Sequence, residues 1–208
     1  MASRKEMELL RLEEMTRYER PYWEGNVLLG GMDEAGRGPL AGPVVAACYV
    51  CGPEELIPGV NDSKKLSEKR REALFGLLME RGSYGVGIVD EGTIDKINIL
   101  QAAKLAFAQA YRQTPLAPQR VLVDALEGLD IPAQQEAIIK GDAKSYLIAA
   151  ASILAKVTRD HIMLEYDGQY PQYGFARNKG YGTREHIEAL RRFGPCPLHR
   201  RTFIRNFL

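Results

Sequence analysis

Two short apolar runs near the start of the chain, residues 27–29 and 44–50, are separated by a polar segment rich in glycine and proline. Short apolar runs bounded by Gly and Pro are typical of buried strands, and the turn residues between them favour a hairpin. Asp33 and Glu34 lie where the first run ends. A pair of acids at the end of a buried strand costs free energy unless a partner compensates their charge. The pattern therefore predicts a hairpin that presents chemistry at one end.

Apolar periodicity further along the chain predicts four more helices and three more strands. Ser67 is predicted as the N-cap of the first of these helices, whose leucines form one apolar stripe. The glycines of the strand that follows it are typical of an edge strand or of a closely approached one. The predicted helices cover residues 67–81, 93–112, 141–166 and 183–193, and the predicted strands cover residues 83–89, 121–123 and 137–140.

The N-terminal segment differs from the rest of the chain in its scarcity of apolar anchors. Residues 3–20 are predicted to form a charged helix that ends at Pro21, so we expect a mobile appendage. The chain is accordingly divided into an N-terminal helical appendage, residues 1–24, and one domain, residues 25–208. In that domain helices separate most of the strands, which requires crossover connections and a partly parallel sheet. The predicted fold is α/β, with a mixed sheet and helices on its faces.

The charges are distributed unevenly along the chain. Residues 177–208 carry eight Lys and Arg against two acids, a net charge of +6, and residues 1–176 carry 20 basic against 25 acidic side chains, a net charge of −5. An acidic body with a basic C-terminal arm suits a polyanionic substrate that approaches an acidic, metal-loaded site. A solvated basic helix is the alternative interpretation.

Other classes of protein are disfavoured by what the sequence lacks. No apolar run reaches the roughly 18 residues of a membrane-spanning helix, and the N-terminus lacks the apolar core of a signal peptide. We therefore expect a cytoplasmic protein with no membrane partner. Its three cysteines, Cys48, Cys51 and Cys196, lack the second pair of ligands that a zinc site needs, so reduced thiols are predicted.

Four acids lie where predicted strands end or lead into a helix: Asp33, Glu34, Asp124 and Asp142. Because neighbouring strands lie about 4.8 Å apart, these carboxylates can converge, and their mutual repulsion then favours bound cations. Oxygen ligands of this kind suit Mg²⁺ or Mn²⁺, and two such ions about 4 Å apart support in-line displacement at phosphorus. Taken singly, each acid also has an ordinary interpretation as a turn residue or a helix cap.

Several motifs of the chain together resemble bacterial ribonuclease HII, a type 2 ribonuclease H. They are DEAGRGPLAGP at residues 33–43, DSKKL at 62–66, VLVD at 121–124, KGDAKS at 140–145, AASILAKVTRD at 150–160 and KGYGT at 179–183, within a match over about residues 27–202.

The resemblance implies a ribonuclease H-like mixed five-stranded sheet flanked by helices, with a C-terminal helical extension from about residue 168. It also implies that Asp33, Glu34, Asp124 and Asp142 bind Mg²⁺ or Mn²⁺ as the catalytic set. The implied activity is hydrolysis of the RNA strand of RNA–DNA hybrids and incision of duplex DNA 5′ of embedded ribonucleotides, in ribonucleotide removal and primer processing.

Substrate-binding residues follow from the same resemblance. The loop of Gly36, Arg37 and Gly38 is implied to contact the 2′-hydroxyl through its backbone, and Tyr181 to pack on the next deoxyribose. Without the resemblance, Tyr181 has the simpler interpretation of a structural aromatic residue. The predicted phosphate contacts are Lys64, Lys65, Lys156, Arg159 and Arg184. Ala125 departs from the family, which most often has glycine after its third acid.

Two other functions compete with this interpretation. The first is a nuclease of the same fold with another substrate, either a related ribonuclease without junction preference or a DNA junction-resolving enzyme. The loop over residues 36–38 together with Tyr181 disfavours both. The second is a nucleic-acid-binding module without activity, in which acids facing phosphate would be disadvantageous because they repel it. We expect a monomer with RNA–DNA hybrids and ribonucleotide-containing duplexes as its partners.

Overall fold

The structure is a computed structural model that describes residues 3–208, so the first two residues of the predicted appendage lie outside the described part. Its helices are α1 (Arg4–Met15), α2 (Arg20–Glu24), α3 (Glu68–Arg81), α4 (Glu91–Gln113), α5 (Tyr146–Gln169), α6 (Phe175–Asn178) and α7 (Arg184–Phe193). Its strands are β1 (Leu29–Ala35), β2 (Val44–Val50), β3 (Ser83–Val89), β4 (Arg120–Asp124) and β5 (Gln134–Ile138).

The strands form one sheet in the order β3-β2-β1-β4-β5. β2 pairs antiparallel with both β1 and β3, whereas β4 pairs parallel with both β1 and β5. The predicted hairpin is the β1–β2 pair, and the glycine-containing β3 is an edge strand. The mixed five-stranded sheet is therefore confirmed.

Helices cover both faces of this sheet. On one face α4 packs its buried alanines and Phe107 against Met32 and Cys48 of the central strands. On the other face α5 and α3 share a second apolar cluster with Tyr49 and Leu122. No helix among residues 3–208 is long and apolar enough to cross a membrane. The three cysteines are free and buried.

The contact between α5 and β1 is close enough to exclude any side chain at Gly31. A Cβ atom there would overlap the backbone of Leu147 and Ile148. The small residues Ala149 to Ala151 of α5 are fully buried. Because no side chain intervenes, α5 and β1 are held at a short separation two residues before Asp33.

The N-terminal helix ends earlier than predicted. α1 stops at Met15 with Thr16 as its C-cap, and a second helix begins at Arg20. Pro21 was expected to end a helix, but it lies in the first turn of α2. Proline is tolerated at that position because the first N–H groups of a helix have no partner within it.

The chain after β4 also differs from the prediction. The last strand is Gln134–Ile138 and not residues 137–140, because Lys140 takes a left-handed backbone conformation with a φ of 57°. A 3₁₀ turn over Gly141–Ala143 follows, and Ser145 caps α5 through a bond to the Ile148 N–H. Asp142 therefore lies in a turn before the long helix and not inside it.

Glu19 attaches the N-terminal segment to the start of α5. One of its carboxylate oxygens accepts from the Ser145 hydroxyl at 2.6 Å and from the Leu147 N–H at 3.0 Å. Leu12 and Met15 of α1 join the same apolar cluster as α5. Burial raises the pKa of Glu19 to about 7. The segment expected as an appendage is thus held by buried contacts at its C-terminal end.

We expect the substitution Glu19→Gln to remove a pH dependence of stability. The folded protein keeps the Glu19 proton up to about pH 7, whereas the unfolded chain releases it near the ordinary pKa of 4.5. Between these values the free energy of unfolding of the wild type falls as the pH rises, by at most about 1.4 kcal/mol per pH unit. The amide cannot titrate, so the stability advantage of the variant should grow over the same range.

Urea unfolding at about pH 5 and about pH 8 measures this difference. Glu14→Gln is the matched control, because that carboxylate lies on the same segment with 73% of its side chain exposed. An advantage of Glu19→Gln that is the same at both pH values would contradict the prediction.

Candidate active site

Three of the four predicted acids converge where the C-terminal ends of β1 and β4 lie side by side. Asp33, Asp124 and Asp142 each offer an oxygen atom, and these atoms all lie within 4.8 Å of one another. Asp33 lies in β1 and Asp124 ends β4, which is the parallel neighbour of β1. Asp142 reaches the same place from the 3₁₀ turn that follows β5. The sheet brings together side chains that are distant in sequence.

The convergence is electrostatically unfavourable in the absence of a cation. Asp33 is buried, which raises its pKa well above the ordinary value, and the charges of Glu34, Asp124 and Asp142 raise it further. Burial also raises the pKa of Asp124, although the Gly141 N–H, which donates to it at 2.7 Å, lowers that pKa. Oxygen ligands under such mutual repulsion suit a hard divalent cation.

The backbone next to Asp124 takes a conformation that favours glycine. Ala125 has a φ of 50° and donates its N–H to the Ile138 carbonyl at 3.2 Å. A left-handed conformation costs a residue with a Cβ atom about 1–2 kcal/mol, a cost that glycine avoids. The departure of Ala125 from the resembled family therefore introduces local backbone strain beside Asp124.

Glu34 lies beside the converging group and not in it. Its Oε1 is 3.3 Å from Nη1 of Arg37. Its Oε2 is buried and finds no hydrogen-bond partner in the part of the chain that the structure describes. Burial raises the pKa of Glu34, and the charge of Arg37 lowers it. A buried carboxylate oxygen without a partner is costly, so this atom fits a site that accepts a cation.

Lys64 is the nearest positive charge to the acids. Its Nζ is 3.0 Å from Oδ2 of Asp142, and this hydrogen bond raises the pKa of Lys64. Asp62 accepts the Lys64 N–H at 2.9 Å and so shapes the turn that carries the lysine. Asp62 is not among the predicted site residues, although an Asp two residues before Lys64 is the signal of an Asx turn. Lys65 is exposed in the same turn.

A cavity of about 240 Å³ opens beside the acids. Tyr181, which is 46% exposed, borders it, and a Cβ atom at Gly38 would lie 3.8 Å from the Tyr181 ring. Ser63 and Ser152 also line it, and neither is among the predicted site residues. The lining residues are Asp33, Glu34, Ala35, Gly36, Arg37, Gly38, Ser63, Lys64, Ser152, Lys156 and Tyr181.

Gly36 cannot be replaced without disturbing this cavity wall. Its φ is 95°, a region that favours glycine, and a Cβ atom would overlap the side chain of Arg159. The loop is thus packed directly on a buried guanidinium.

That contact bears on the role predicted for Arg159. Arg159 is 1% exposed, and its guanidinium donates to the carbonyls of Pro43, Lys179 and Ala41 at 2.9, 2.8 and 3.0 Å. These bonds use three of the five N–H groups of the guanidinium and hold the buried side chain against the backbone. This placement favours a structural role for Arg159 and disfavours the predicted phosphate contact, which stays a prediction.

The other two predicted phosphate contacts lie in different surroundings. Lys156 lines the cavity and forms an ion pair with Asp160 at 2.7 Å. Arg184 begins α7 with its side chain 92% exposed and pairs with Glu188. Arg184 is not among the residues that line the cavity.

The comparison with protein families settles where the chain belongs. Residues 30–206 match the model of the family described as Ribonuclease HII. The chain belongs to the ribonuclease HII family. A protein named Ribonuclease HII from Caldanaerobacter subterraneus subsp. tengcongensis is 55% identical over 205 residues, which cover 98% of this chain and 85% of that protein. The resemblance drawn from the motifs is confirmed.

Solved structures confirm the fold of this ribonuclease HII family member. The ribonuclease H2 from Pyrococcus horikoshii OT3 superposes with a TM-score of 0.72 at 30% identity, over 86% of this chain and 96% of that one. Bst-RNase HIII, solved in complex with Mn²⁺, shares the fold with a TM-score of 0.65 at 18% identity, over 81% of this chain and 63% of that one. The expected ribonuclease H-like fold is therefore present.

Membership of the family also gives the class of reaction. The chain is a ribonuclease H, a divalent-metal-dependent endonuclease that acts on RNA–DNA hybrids. The acidic group of Asp33, Asp124 and Asp142 is a set of ligands suited to such a metal.

We expect Mg²⁺ or Mn²⁺ to stabilise the protein by binding these acids. A cation at about 100 times its Kd adds about 2.7 kcal/mol, which raises the Tm of a chain of this size by about 5–10 °C. Asp33→Asn should lose most of that gain, because it removes a charged oxygen ligand from the centre of the group. Thermal unfolding with and without metal measures the effect.

Asp130→Asn is the control for this experiment, because Asp130 is an aspartate with 98% of its side chain exposed. Its Tm should rise with metal as that of the wild type does. An unchanged wild-type Tm under saturating metal, or an equal gain in Asp33→Asn, would show that these acids are not the site.

Proposed function

We propose that this ribonuclease H hydrolyses the RNA strand of hybrids and also incises duplex DNA on the 5′ side of an embedded ribonucleotide. The products are 5′-phosphate and 3′-hydroxyl ends, and the role is ribonucleotide removal and primer processing. One observation carries the proposal: Asp33, a member of the converging acid group, lines the same cavity as residues 36–38 and Tyr181. Groups suited to chemistry at phosphorus thus adjoin groups suited to reading a sugar.

We propose further that Asp33, Glu34, Asp124 and Asp142 hold two Mg²⁺ or Mn²⁺ ions. The raised pKa values of Asp33 and Asp124 and the unpaired Oε2 of Glu34 support a cation at this place. Bound ions of this kind activate a water molecule and stabilise the leaving oxygen. The chain's own part is to hold the ligands: β1 and β4 place Asp33 and Asp124 side by side, and the Gly141 N–H orients Asp124.

Recognition of the ribonucleotide is proposed for the part of the cavity lining formed by residues 36–38 and Tyr181. Only the 2′-hydroxyl distinguishes RNA from DNA at a given site. The backbone of Gly36, Arg37 and Gly38 can approach a sugar closely because two of the three residues lack a side chain. Tyr181 then packs on the following deoxyribose. Lys64, Lys65, Lys156 and Arg184 are proposed to contact phosphates.

The same site distinguishes the proposed function from two rivals. A binding module without activity would gain nothing from acids that repel phosphate. A ribonuclease without junction preference would not depend on Tyr181. The division of the chain at residue 24, the monomeric state and the cytoplasmic location stay predictions.

Removal of a ligand charge should abolish cleavage and spare binding. We expect Asp33→Asn and Asp124→Asn to lose activity on an RNA–DNA hybrid by a factor on the order of 10² or more, as for a loss of about 3 kcal/mol of transition-state stabilisation. Affinity for the hybrid should stay the same or rise, because each change removes one negative charge near phosphate. Single-turnover cleavage and fluorescence anisotropy measure the two quantities.

Asp130→Asn is again the matched variant and should cleave at the wild-type rate. Near-normal turnover of both ligand variants would exclude this carboxylate site. Wild-type binding without any metal-dependent cleavage would favour the binding module instead.

Tyr181 should matter more for a single embedded ribonucleotide than for a uniform hybrid. In the uniform hybrid no deoxyribose follows the cut, so the proposed packing partner is missing there. We expect Tyr181→Ala to lower kcat/KM for the single-ribonucleotide duplex by about tenfold to a hundredfold, as for a lost stacking contact of roughly 1–3 kcal/mol. Its effect on the uniform hybrid should be smaller.

Tyr181→Phe keeps the ring and should behave as the wild type on both substrates. Arg37→Ala should weaken both substrates, because a charge near phosphate serves either one. If Tyr181→Ala slowed the two substrates equally, Tyr181 would be a structural residue and the proposed junction preference would be wrong.

A further inference from the structure

Adjacent residues of the C-terminal tail, His199 and Arg200, reach toward the two elements proposed to read the sugar. Both side chains are buried. The tail runs beside the loop that follows residues 36–38: His199 forms a β-bridge with Ala41, and the Arg200 N–H donates to the Leu40 carbonyl at 2.9 Å. The tail therefore forms part of the frame around the cavity.

Arg200 holds the loop that contains Gly36 and Arg37. Its guanidinium donates to the Gly36 carbonyl at 2.6 Å, to the Arg37 carbonyl at 3.0 Å and to the Gly42 carbonyl at 2.9 Å. Burial lowers the pKa of Arg200 to about 9, so the side chain is still charged near pH 7. A buried charge is costly, and here backbone carbonyls on both sides of the loop satisfy it.

A chain of hydrogen bonds leads from the same tail to the backbone of Tyr181. The Cys196 N–H donates to Nδ1 of His199 at 3.0 Å, so the hydrogen of neutral His199 lies on Nε2. That atom is 3.0 Å from Nε2 of His186, which must accept, so the hydrogen of His186 lies on Nδ1. Nδ1 of His186 then donates to the Tyr181 carbonyl at 2.9 Å. Every donor meets an acceptor only with this pair of tautomers.

The two imidazoles are fixed in place by aromatic neighbours. The ring of Tyr173 lies 4.7 Å from that of His199, and the ring of Phe175 lies 5.4 Å from that of His186, both edge-to-face. Burial lowers the pKa of both imidazoles, that of His199 to about 4. Both rings are therefore neutral near pH 7, as the chain of hydrogen bonds requires.

We propose that His186, His199 and Arg200 are positioning residues for substrate recognition. Arg200 sets the backbone of residues 36–38, and His199 sets the backbone of Tyr181 through His186. The inference rests on the proposed reading of the 2′-hydroxyl and of the following deoxyribose. An apolar tail would fill the same space without burying a charge. The polar side chains here end on the carbonyls of the two sensing elements, which favours positioning over packing alone.

The test compares two variants on a single-ribonucleotide duplex and on a uniform hybrid. His186→Phe keeps a ring in the aromatic cluster but cannot donate to Tyr181, so the single-ribonucleotide substrate should lose about tenfold more in kcat/KM than the hybrid does. Arg200→Lys keeps the charge but loses the planar guanidinium that binds several carbonyls at once. Its kcat/KM should therefore fall about tenfold for both substrates. His161→Phe is the matched control, because it makes the same exchange at a half-exposed imidazole that pairs with Glu72 outside this chain of hydrogen bonds. Its substrate ratio should be that of the wild type.

If these side chains only stabilise the fold, His186→Phe should lower kcat/KM by the same factor for both substrates, as Arg200→Lys does. That result would overturn the inference. Tyr181→Ala in the same assay separates the positioning role from the proposed reading of the junction. If Tyr181→Ala is selective and His186→Phe is not, the positioning role alone is wrong. If Tyr181→Ala is not selective, the proposed junction reading is wrong and the inference is overturned with it.

A measurement on the wild type tests the inference even if a variant does not fold. Long-range proton–nitrogen NMR spectra near pH 7.5 distinguish the imidazole tautomers, with the half-exposed His161 as an internal reference. We expect His186 to carry its hydrogen on Nδ1 and His199 on Nε2. Any other pair of tautomers would break the chain of hydrogen bonds to Tyr181 and overturn its role.

Discussion

The convergence of three carboxylates within 4.8 Å of one another, with Asp33 and Asp142 buried and Asp124 half-buried, is the constraint on which the rest of this site depends. Each of them would be more stable in water, and together they repel. The fold holds them on neighbouring elements. Asp33 lies in β1, the central strand of the sheet, Asp124 ends the parallel strand beside it, and Asp142 lies in the turn after β5. Gly31 lets α5 close over β1 two residues before Asp33. The site exists because the cost of the charges is carried by a well-packed sheet.

The residues proposed to read the substrate have no such support from the sheet. The loop over residues 36–38 and the turn at Tyr181 lie outside the strands, and they are held instead by hydrogen bonds from buried polar side chains to their carbonyls. Arg159 binds the carbonyls that flank both elements, and Arg200 binds those of Gly36 and Arg37. Planar guanidinium groups suit this task because several donors leave one rigid plane. The proposed metal ligands thus lie at strand ends and in one turn. The proposed sensing residues lie instead on loops that are held by guanidinium groups.

Helix α5 connects these two parts of the site. Its first turn is capped by Ser145 and tied to the N-terminal segment through Glu19, just after the turn that carries Asp142. Its middle packs on Gly31 of β1, and its later turns supply Arg159 to the loop over residues 36–43. A shift of this helix would therefore move the acids and the loop over residues 36–38 together.

The sequence by itself determined the order of the five strands and the longer helices, and it singled out the acids. Alternation of short apolar runs with helical periodicity predicted the strands and the crossovers, because both patterns follow from local geometry. The motifs around Asp33, Asp124 and Asp142 indicated the family, since their residue types are dictated by the chemistry. Tertiary structure decided what depends on distant neighbours. Arg159 faces backbone carbonyls and not solvent because of groups that lie 20 residues or more away in the chain. The hydrogen of His186 lies on Nδ1 because of His199, which is 13 residues away. No local pattern encodes those partners, because a buried polar side chain is defined by what it meets in space and not by its position in the chain.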